Sequence, residues 1–445
     1  MIGGTNSAED FKIKKGYGFA AVDIAINTAD PEDRCTYPDT ITVNGKEVKN
    51  SCAGFTPASN SSNGFAMNSW GDHLILEGIK PVLKNGDTWT DLDKTDMTSW
   101  SNEGDAFTEF PFQWLSITND GTRIRVIFSD NDLRPDDTFQ CYAHAKGCDS
   151  YSNEQIVAAC ASASRSAIMA SNDNSYFANC FHIGCFTANG GSSGIYSKRG
   201  ATVSSNGIYA TYWQGANARG EDYDCMSFQQ WTYIQALFLL LYRSTDSQTA
   251  HSHGLAKIGF ESLSANTANA GVATTSFGMA GAVGVAQVNS FFWIYNCWGN
   301  HAQDIGGLWN RDGSSSKAYY WLPRQANSRA FNNGWSAASS YATQASLGTD
   351  TGITGSNSGG FIKTVAGSNV AGFCPTSQSG GSSSTYWPDF GYARYNSSFA
   401  IFPRVGGSYS DNAGHAGIFY CSVYNISTYS NAYLVARLSY RGGHW

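Results

Sequence analysis

The chain has 445 residues, 42% of them hydrophobic, which is enough for two or three domains with sizeable cores. Charged residues make up only 14%, and the formal net charge is -7. This balance argues against nucleic acid as the main partner, because binding to phosphates needs a basic patch. Aromatic residues also make up 14%, and a surface rich in aromatic and poor in charged residues is typical of an extracellular or virion protein.

Short β-like runs separated by turn residues fill the N-terminal part of the chain. Residues 18–26 predict a strand. Residues 41–48 predict a hairpin that turns at Asn44-Gly45, the strongest short-range hairpin signal. Residues 73–79 suggest a further strand. We therefore predict a small β-rich attachment or oligomerisation domain over residues 1–105.

A second hairpin signal follows this domain. Residues 110–118 and 122–128 are rich in β-formers and flank the turn sequence of residues 119–121. We predict that residues 106–145 form a β-hairpin connector, which leads into a larger domain over residues 146–445.

Two segments of the larger domain predict helices. Residues 153–170 have helical propensity. The clearer helix covers residues 227–243, where Ser227 and Gln230 form a capping box ahead of an apolar run. That run is apolar on most sides, so the helix should lie deep in the domain. The aromatic residues 291–300 predict a core strand.

The cysteines give little support for a metal site. There are 11, and the closest pairs are Cys141 with Cys148 and Cys180 with Cys185. Neither pair has the CxxC spacing that is typical of zinc sites. We therefore expect buried, apolar cysteines, a strand over residues 180–186, and no metal and no cofactor.

The sequence contains no catalytic motif that stands out. There is no GxSxG motif. His251 and His253 could place two imidazoles on one strand face, but no Cys or carboxylate stands at ligand spacing beside them. A paired-carboxylate site would need acids whose separation the chain spacing does not give; the candidates are Glu221, Asp222, Asp224, Asp312 and Asp389. We predict that the protein is not an enzyme.

The C-terminal residues 401–445 combine anchors with adaptable side chains. Tyr offers large contact area, and Ser and Asn offer hydrogen bonds that can be re-aimed, as in variable binding surfaces. From Pro388 to His444 there is no Lys, Glu, Gln, Met or Trp, which are residue types that an AAC or AAT codon cannot reach through changes of its adenines alone. The predicted ligand-binding residues are Tyr409, Ser410, Asp411, His415, Tyr420, Tyr424, Asn425, Tyr429, Asn431 and Tyr433.

This arrangement resembles the variable region of the target proteins of diversity-generating retroelements, such as the major tropism determinants of phages. In that family a C-type-lectin-like domain ends in a GG(S/T)(W/Y)…AG…ARL-type segment. The matching positions here are residues 406–409, 416–417 and 436–438. Tyr409 stands where the family usually has Trp, and residues 439–445 extend a little past the usual end.

The resemblance implies an α+β fold, in which a C-terminal C-type-lectin-like (formylglycine-generating-enzyme-like) domain follows a small β-rich N-terminal region. The variable region would cover residues from about 401 to 440. A formylglycine-generating type of enzyme shares that fold but needs paired C-terminal cysteines, and the candidate Cys421 stands among the variable positions.

The resemblance also implies a function. The protein would be a receptor-binding protein of a phage tail tip or fibre, carried in the virion and diversified by a retroelement. Its partners would be a host cell-surface protein or glycan and other phage tail proteins, within a homotrimer and without nucleic acid. The apolar run of residues 236–242 is too short to span a bilayer, so we expect no membrane insertion. The alternative is a tail-associated enzyme that degrades glycans.

A variable surface also makes a structural demand. Random replacement is tolerated only where burial is low, so the variable side chains should point to solvent and Phe419, Ala436 and Leu438 inward. Arg437 should bind backbone carbonyls or a carboxylate beneath the face. Four glycines are expected to hold turns whose backbone angles other residues resist: Gly406, Gly407, Gly414 and Gly417.

Overall fold

The fold is mostly β-sheet. The computed structural model describes residues 16–61, 64–101, 103–131, 133, 138–144, 178–220, 222–256, 277–281, 288–306, 309–310, 317–321, 352–354, 359–369, 371–393, 403–412, 414–425 and 428–441. Within this structure, strands account for 37% of the residues and helices for 13%. The described residues contain three α-helices, α1 (Tyr209–Asn217), α2 (Phe228–Tyr242) and α3 (Ser247–Ala250). The prediction of an α+β fold with a C-type-lectin-like domain is therefore wrong, because many small sheets dominate.

Helix α2 is the central element of the core, and its prediction is confirmed. The Ser227 hydroxyl accepts a hydrogen bond from the Gln230 backbone at 3.2 Å, and the Ser227 backbone donates to Gln230 Oε1 at 2.9 Å, which completes the capping box. The helix ends at Arg243, whose backbone is left-handed. All residues of α2 except Gln229 are buried, because no side of the helix is polar. The helix predicted over residues 153–170 lies outside the described residues.

The structure describes eleven strands among its residues between 16 and 131. They are β1 (Phe19–Ala25), β2 (Cys35–Thr36), β3 (Thr40–Val43), β4 (Lys46–Lys49), β5 (Ser59–Ser61), β6 (Gly64–Ala66), β7 (Lys80–Asn85), β8 (Thr88–Asp91), β9 (Asp105–Pro111), β10 (Trp114–Asn119) and β11 (Arg123–Ser129). The predicted strand β1 and the predicted hairpins β3–β4 and β10–β11 are confirmed. Residues 73–79 are not a strand but contain a single 3-10 turn, because the His73 ring accepts a hydrogen bond from the Ile75 backbone and caps it.

The remaining strands are mostly short. They are β12 (Cys180–Gly184), β13 (Asn189–Gly191), β14 (Gly194–Tyr196), β15 (Tyr223–Cys225), β16 (Ser290–Phe291), β17 (Ile294–Tyr295), β18 (Ala302–Asp304), β19 (Trp309–Asn310), β20 (Lys317–Trp321), β21 (Gly352–Thr354), β22 (Gly359–Ile362), β23 (Thr364–Val365), β24 (Pro375–Ser377), β25 (Trp387–Ala393), β26 (Arg404–Val405), β27 (Cys421–Val423), β28 (Leu434–Val435) and β29 (Leu438–Tyr440). Strand β12 confirms the prediction for residues 180–186. The single strand predicted for residues 291–300 is wrong, because Phe292 and Trp293 take positive φ and turn the chain between β16 and β17.

Two six-stranded sheets organise the described structure. The first, in the order β15-β29-β12-β9-β7-β8, joins strands from all three predicted segments of the chain. The second, in the order β22-β25-β27-β26-β18-β28, contains much of the C-terminal segment. Smaller sheets of two to five strands complete the fold. The domain boundaries themselves stay a prediction.

Arg437 connects the segments between these sheets. Its guanidinium is fully buried, and burial lowers its pKa to about 10. It donates hydrogen bonds to five oxygens, which are the backbone carbonyls of Gly184, Cys185, Tyr295 and Asn296 and the side-chain oxygen of Gln303. The expectation that Arg437 binds backbone carbonyls is therefore confirmed.

The nine described cysteines are buried, as expected for small apolar residues. Within the described part of the chain, none of the helices has the length and apolar character needed to cross a membrane.

Candidate functional site

A cavity of about 480 Å³ opens beside the second six-stranded sheet. Seven of the ten predicted ligand-binding residues line it: Ser410, Asp411, Tyr420, Tyr424, Asn425, Tyr429 and Tyr433. The other lining residues are Ala302, Gly359, Tyr392, Arg404, Ser408, Ser422 and Leu434. We call this cavity the C-terminal pocket.

The floor of the C-terminal pocket is one row of residues across four strands. In the register of the sheet, Arg404 on β26 lies opposite Ser422 on β27. Ser422 is paired in turn with Tyr392 on β25, and Tyr392 with Gly359 on β22. Paired residues project from the same face of a sheet, so the floor depends on strand register.

Arg404 is the charged group of the floor. Its Nε donates to Asp304 Oδ1 at 2.9 Å, and its Nη2 donates to the Tyr429 carbonyl at 3.3 Å. The guanidinium carbon lies 5.1 Å from the centroid of the Tyr429 ring. Burial raises the pKa of Asp304, and Arg404 opposes that shift. The Nη1 group is buried and has no hydrogen-bond partner among the described residues, so a fixed guanidinium keeps N–H donors that a ligand could use.

One wall of the C-terminal pocket is a hydrogen-bonded set of tyrosines. The hydroxyls of Tyr429 and Tyr433 lie 2.8 Å apart, and Asn431 Nδ2 donates to the Tyr429 hydroxyl at 3.1 Å. Burial raises the pKa of Tyr433, so the hydroxyl stays neutral at physiological pH. Tyr424 is more exposed than Tyr429 and Tyr433, with 37% of its surface accessible. This wall offers aromatic faces and neutral hydroxyl groups.

The opposite wall is a tight turn at residues 408–411. Asp411 Oδ2 accepts hydrogen bonds from the Ser408 backbone at 2.7 Å and from its hydroxyl at 2.8 Å. The hydroxyls of Ser408 and Ser410 lie 2.8 Å apart. Burial raises the pKa of Asp411, and the Ser408 hydrogen bonds oppose that shift.

Two of the predicted solvent-facing side chains are buried, so the expectation is wrong for them. Tyr409 is 7% exposed, because its backbone donates to the Asn300 carbonyl and its ring packs edge-on against His301. Tyr420 is 5% exposed beneath Tyr392, although it still lines the pocket.

Two other predicted residues, His415 and Asn431, are half-buried but do not line the C-terminal pocket. The His415 ring stacks on Phe390 with a centroid distance of 3.9 Å. The inward orientation expected for the anchors is confirmed: Phe419, Ala436 and Leu438 are all buried.

Sequence reasoning missed most of the floor. Tyr392 stands in the stretch without Lys, Glu, Gln, Met and Trp, which is the one signal that could have suggested it. Arg404 and Ser422 stand in the same stretch, but nothing in their residue type marks them, and only strand pairing brings them beside Tyr392.

The candidate catalytic groups do not meet in the C-terminal pocket. Of the acidic candidates that the structure describes, Asp222, Asp224 and Asp389 do not line it. Both ring nitrogens of His251 are engaged, with the Tyr242 hydroxyl and the Ser290 carbonyl, so His251 is not poised as a metal ligand with His253. Glu221 and Asp312 lie outside the described residues.

Comparison with known proteins adds no assignment. A scan against models of protein families finds no match, and a search of the curated proteins finds no significant match. The interpretation of the pocket therefore rests on its own geometry.

The glycine anchors act in different ways. Gly406 and Gly407 have φ of 84° and 68°, in the left-handed region that favours glycine, as expected. Gly417 does not have positive φ, so the expectation about its backbone angles is wrong; it is needed for space, because a Cβ there would lie 2.0 Å from Asp389 Oδ1. Gly414 has no such constraint, since the nearest atom to a Cβ would be 3.9 Å away, so the expectation of a strained turn is wrong at that position.

Asp389 holds the chain beneath the pocket. Its Oδ2 accepts from the Phe419 backbone at 2.7 Å, and its Oδ1 accepts from Gln248 Nε2 at 3.0 Å. The Ser247 hydroxyl lies 3.3 Å from Oδ2. Burial raises the pKa of Asp389 to about 7 and outweighs these hydrogen bonds, which favour the ionised form.

The two glycines provide a matched test of this packing. Gly417→Ala should lower the free energy of unfolding by about 1–3 kcal/mol, because the new methyl group overlaps the Asp389 carboxyl. Gly414→Ala should change it by less than about 1 kcal/mol. Urea unfolding of both variants measures the difference. Equal destabilisation would show that the Gly417–Asp389 contact is not tight.

The raised pKa of Asp389 predicts a pH dependence of stability. The folded protein holds this proton more tightly than the unfolded chain does, so protonation favours folding. The contribution of the Asp389 proton to the free energy of unfolding is complete below the ordinary carboxyl pKa of 3.8 and is lost as the pH rises towards 7. Asp389→Asn should therefore reduce the dependence of the unfolding free energy on pH. Urea unfolding at a series of pH values measures this dependence. If the unfolding free energy of Asp389→Asn changed with pH between 4 and 7 as it does in the parent, Asp389 would not be the titrating group.

Proposed function

We propose that the protein is a receptor-binding protein of a phage tail, carried in the virion, whose C-terminal pocket binds a ligand on the host cell surface. The observation that carries the proposal is the meeting of seven predicted contact residues in one cavity of about 480 Å³. These residues are set apart in the sequence by their type and by their positions between the anchors, and neither property depends on strand pairing. Their convergence supports a binding site rather than a Ser- and Tyr-rich terminal hairpin.

The composition of the pocket favours a glycan as the ligand. A volume of about 480 Å³ is within the range of small-molecule sites and suits a short saccharide branch better than a flat protein surface. The tyrosine faces can pack on sugar rings, while Arg404, Ser410 and Asn425 can hydrogen-bond hydroxyl groups. Affinity at one pocket should be modest, and several copies in a tail, such as a homotrimer, would raise it by avidity.

The division between floor and walls supports diversification by a retroelement. The floor lies on paired strands, whereas most predicted variable residues come from the loops around residues 408–411 and 424–433. Exchange of loop side chains alters the ligand contacts without breaking strand pairing. The proposal requires a reverse-transcriptase gene near this gene and a near-copy of its 3′ end.

A glycan-degrading enzyme is less well supported. Glycoside hydrolysis generally uses two carboxyl groups that flank the scissile bond. Among the described residues, Asp411 is the one carboxyl-bearing side chain that lines the pocket, and Asp304 behind it is engaged by Arg404.

Binding by the tyrosine wall can be tested directly. We expect the triple variant Tyr424→Ala, Tyr429→Ala and Tyr433→Ala to lose at least about 10-fold in binding, because aromatic side chains dominate contact energy. Binding of the labelled full-length protein is measured on a panel of bacterial strains and on an array of purified surface glycans. Tyr196→Ala, on β14 outside the pocket, is the control and should bind like the parent.

A folded triple variant that binds the same strains with unchanged affinity would refute the site. Release of new reducing ends from a bound glycan would instead show that the protein degrades glycans.

A further inference from the structure

Three metal-ligating side chains meet on the first six-stranded sheet. Strands β9 and β12 are antiparallel, and their register places Glu109 directly opposite His182. Cys180 precedes His182 by two residues and so projects from the same face of β12. The grouping is thus a consequence of strand pairing.

The three donor atoms are close enough to share one ion. His182 Nε2 lies 3.2 Å from Glu109 Oε2, and Cys180 Sγ lies 4.0 Å from His182 Nε2. All three donor atoms lie within 4.8 Å of one another. Tetrahedral zinc, with bonds of about 2.0–2.3 Å, separates its ligands by about 3.3–3.8 Å. Side-chain adjustments of less than an ångström would complete that geometry.

The surroundings enclose the cluster. Glu109, Cys180 and His182 are 9%, 6% and 0% exposed. The Trp89 ring stacks on His182 with a centroid distance of 4.4 Å, and Tyr440 approaches the same ring edge-on at 5.8 Å. Trp89 lies on the edge strand β8 and is only half-buried, so its indole separates the cluster from solvent.

Charge also fits a divalent cation. A thiolate and a carboxylate together carry two negative charges, which neutralise a divalent ion beside a neutral imidazole. Lys80 lies opposite Glu109 across the strands and attracts both Glu109 and Cys180, and it also pairs with Asp91 at 2.6 Å. A second cation, Lys84, lies 5.0 Å from the centroid of the Tyr440 ring. Because thiolate and imidazole are preferred by zinc over magnesium and calcium, the donor set selects among cations.

We propose that Glu109, Cys180 and His182 bind one Zn²⁺, with water as the fourth ligand. The ion ties β9 to β12 at the centre of the sheet, and so connects the strand of residues 105–111 to the strand of residues 180–184. This site is separate from the C-terminal pocket and does not depend on the proposed receptor-binding function.

Cobalt titration tests the site in the full-length protein. After treatment with EDTA, the reduced protein is titrated with Co²⁺, which reports thiolate ligation through a charge-transfer absorption and tetrahedral geometry through its d–d bands. We expect one bound Co²⁺, displaced by Zn²⁺ and not by Mg²⁺ or Ca²⁺. Cys180→Ser should lose the charge-transfer absorption, and Glu109→Gln should weaken binding.

Cys185→Ala is the matched control, because Cys185 lies just after β12 and its thiol contacts Thr108 on the other face. This variant should keep the absorption. A thermal melt provides a second readout, since a ligand that binds only the folded state raises the melting temperature. Zn²⁺ should raise it for the parent and for Cys185→Ala but not for Cys180→Ser.

Three results would overturn the proposal. They are the absence of stoichiometric Co²⁺ or Zn²⁺ binding by the folded parent, retention of the charge-transfer absorption by Cys180→Ser, and equal loss of binding in Cys185→Ala. Circular dichroism of each variant without metal separates loss of the site from loss of the fold.

Discussion

A buried guanidinium that binds five oxygens is the constraint on which the arrangement of the sheets depends. Arg437 lies between β28, in the sheet that contains the pocket floor, and β29, in the sheet that contains the Glu109–Cys180–His182 cluster. Removal of its side chain would take a hydrogen bond from each of four buried carbonyls. The Cys185 carbonyl keeps the Tyr295 backbone as a donor, whereas a buried carbonyl left without any partner costs about 1–3 kcal/mol. Strand register on both sides is therefore tied to one residue, and both sites depend on register.

This arrangement separates the buried residues that hold the fold from the side chains that form the pocket walls. The anchors are buried, and Gly417 leaves room for Asp389 beneath the pocket. The loops that supply the pocket walls make few demands on the core, because residues such as Ser410 and Tyr424 are exposed. A buried floor beneath exposed wall residues is what the proposed receptor-binding function would require.

Structure that depends on neighbouring residues can be predicted from this sequence, whereas pairing between distant strands cannot. The capping box of Ser227 and the Asn44-Gly45 turn are encoded by neighbouring residues, and the structure confirms both. The α+β fold class, which the family resemblance implied, is wrong. Strands of two or three residues carry no readable period, so the sequence pattern does not reveal the many small sheets.

In both sites, the residues that only strand pairing brings together could not be predicted. The pocket walls could be predicted because their residues cluster in one segment of the chain, whereas Arg404 and Tyr392 meet only across strands. Cys180 and His182 stand two residues apart, but Glu109 joins them through register alone.

The central claim is that the pocket walls can vary while the scaffold cannot. The most direct measurement is a saturation substitution scan of residues 404–437 in a displayed full-length protein. Each variant is scored for protease resistance and for binding to a strain or glycan that the parent recognises. We predict that most substitutions at Tyr424 and Tyr429 preserve protease resistance and change binding, whereas substitutions at Arg437 abolish both. Loss of protease resistance at the wall positions as severe as at Arg437 would contradict the account.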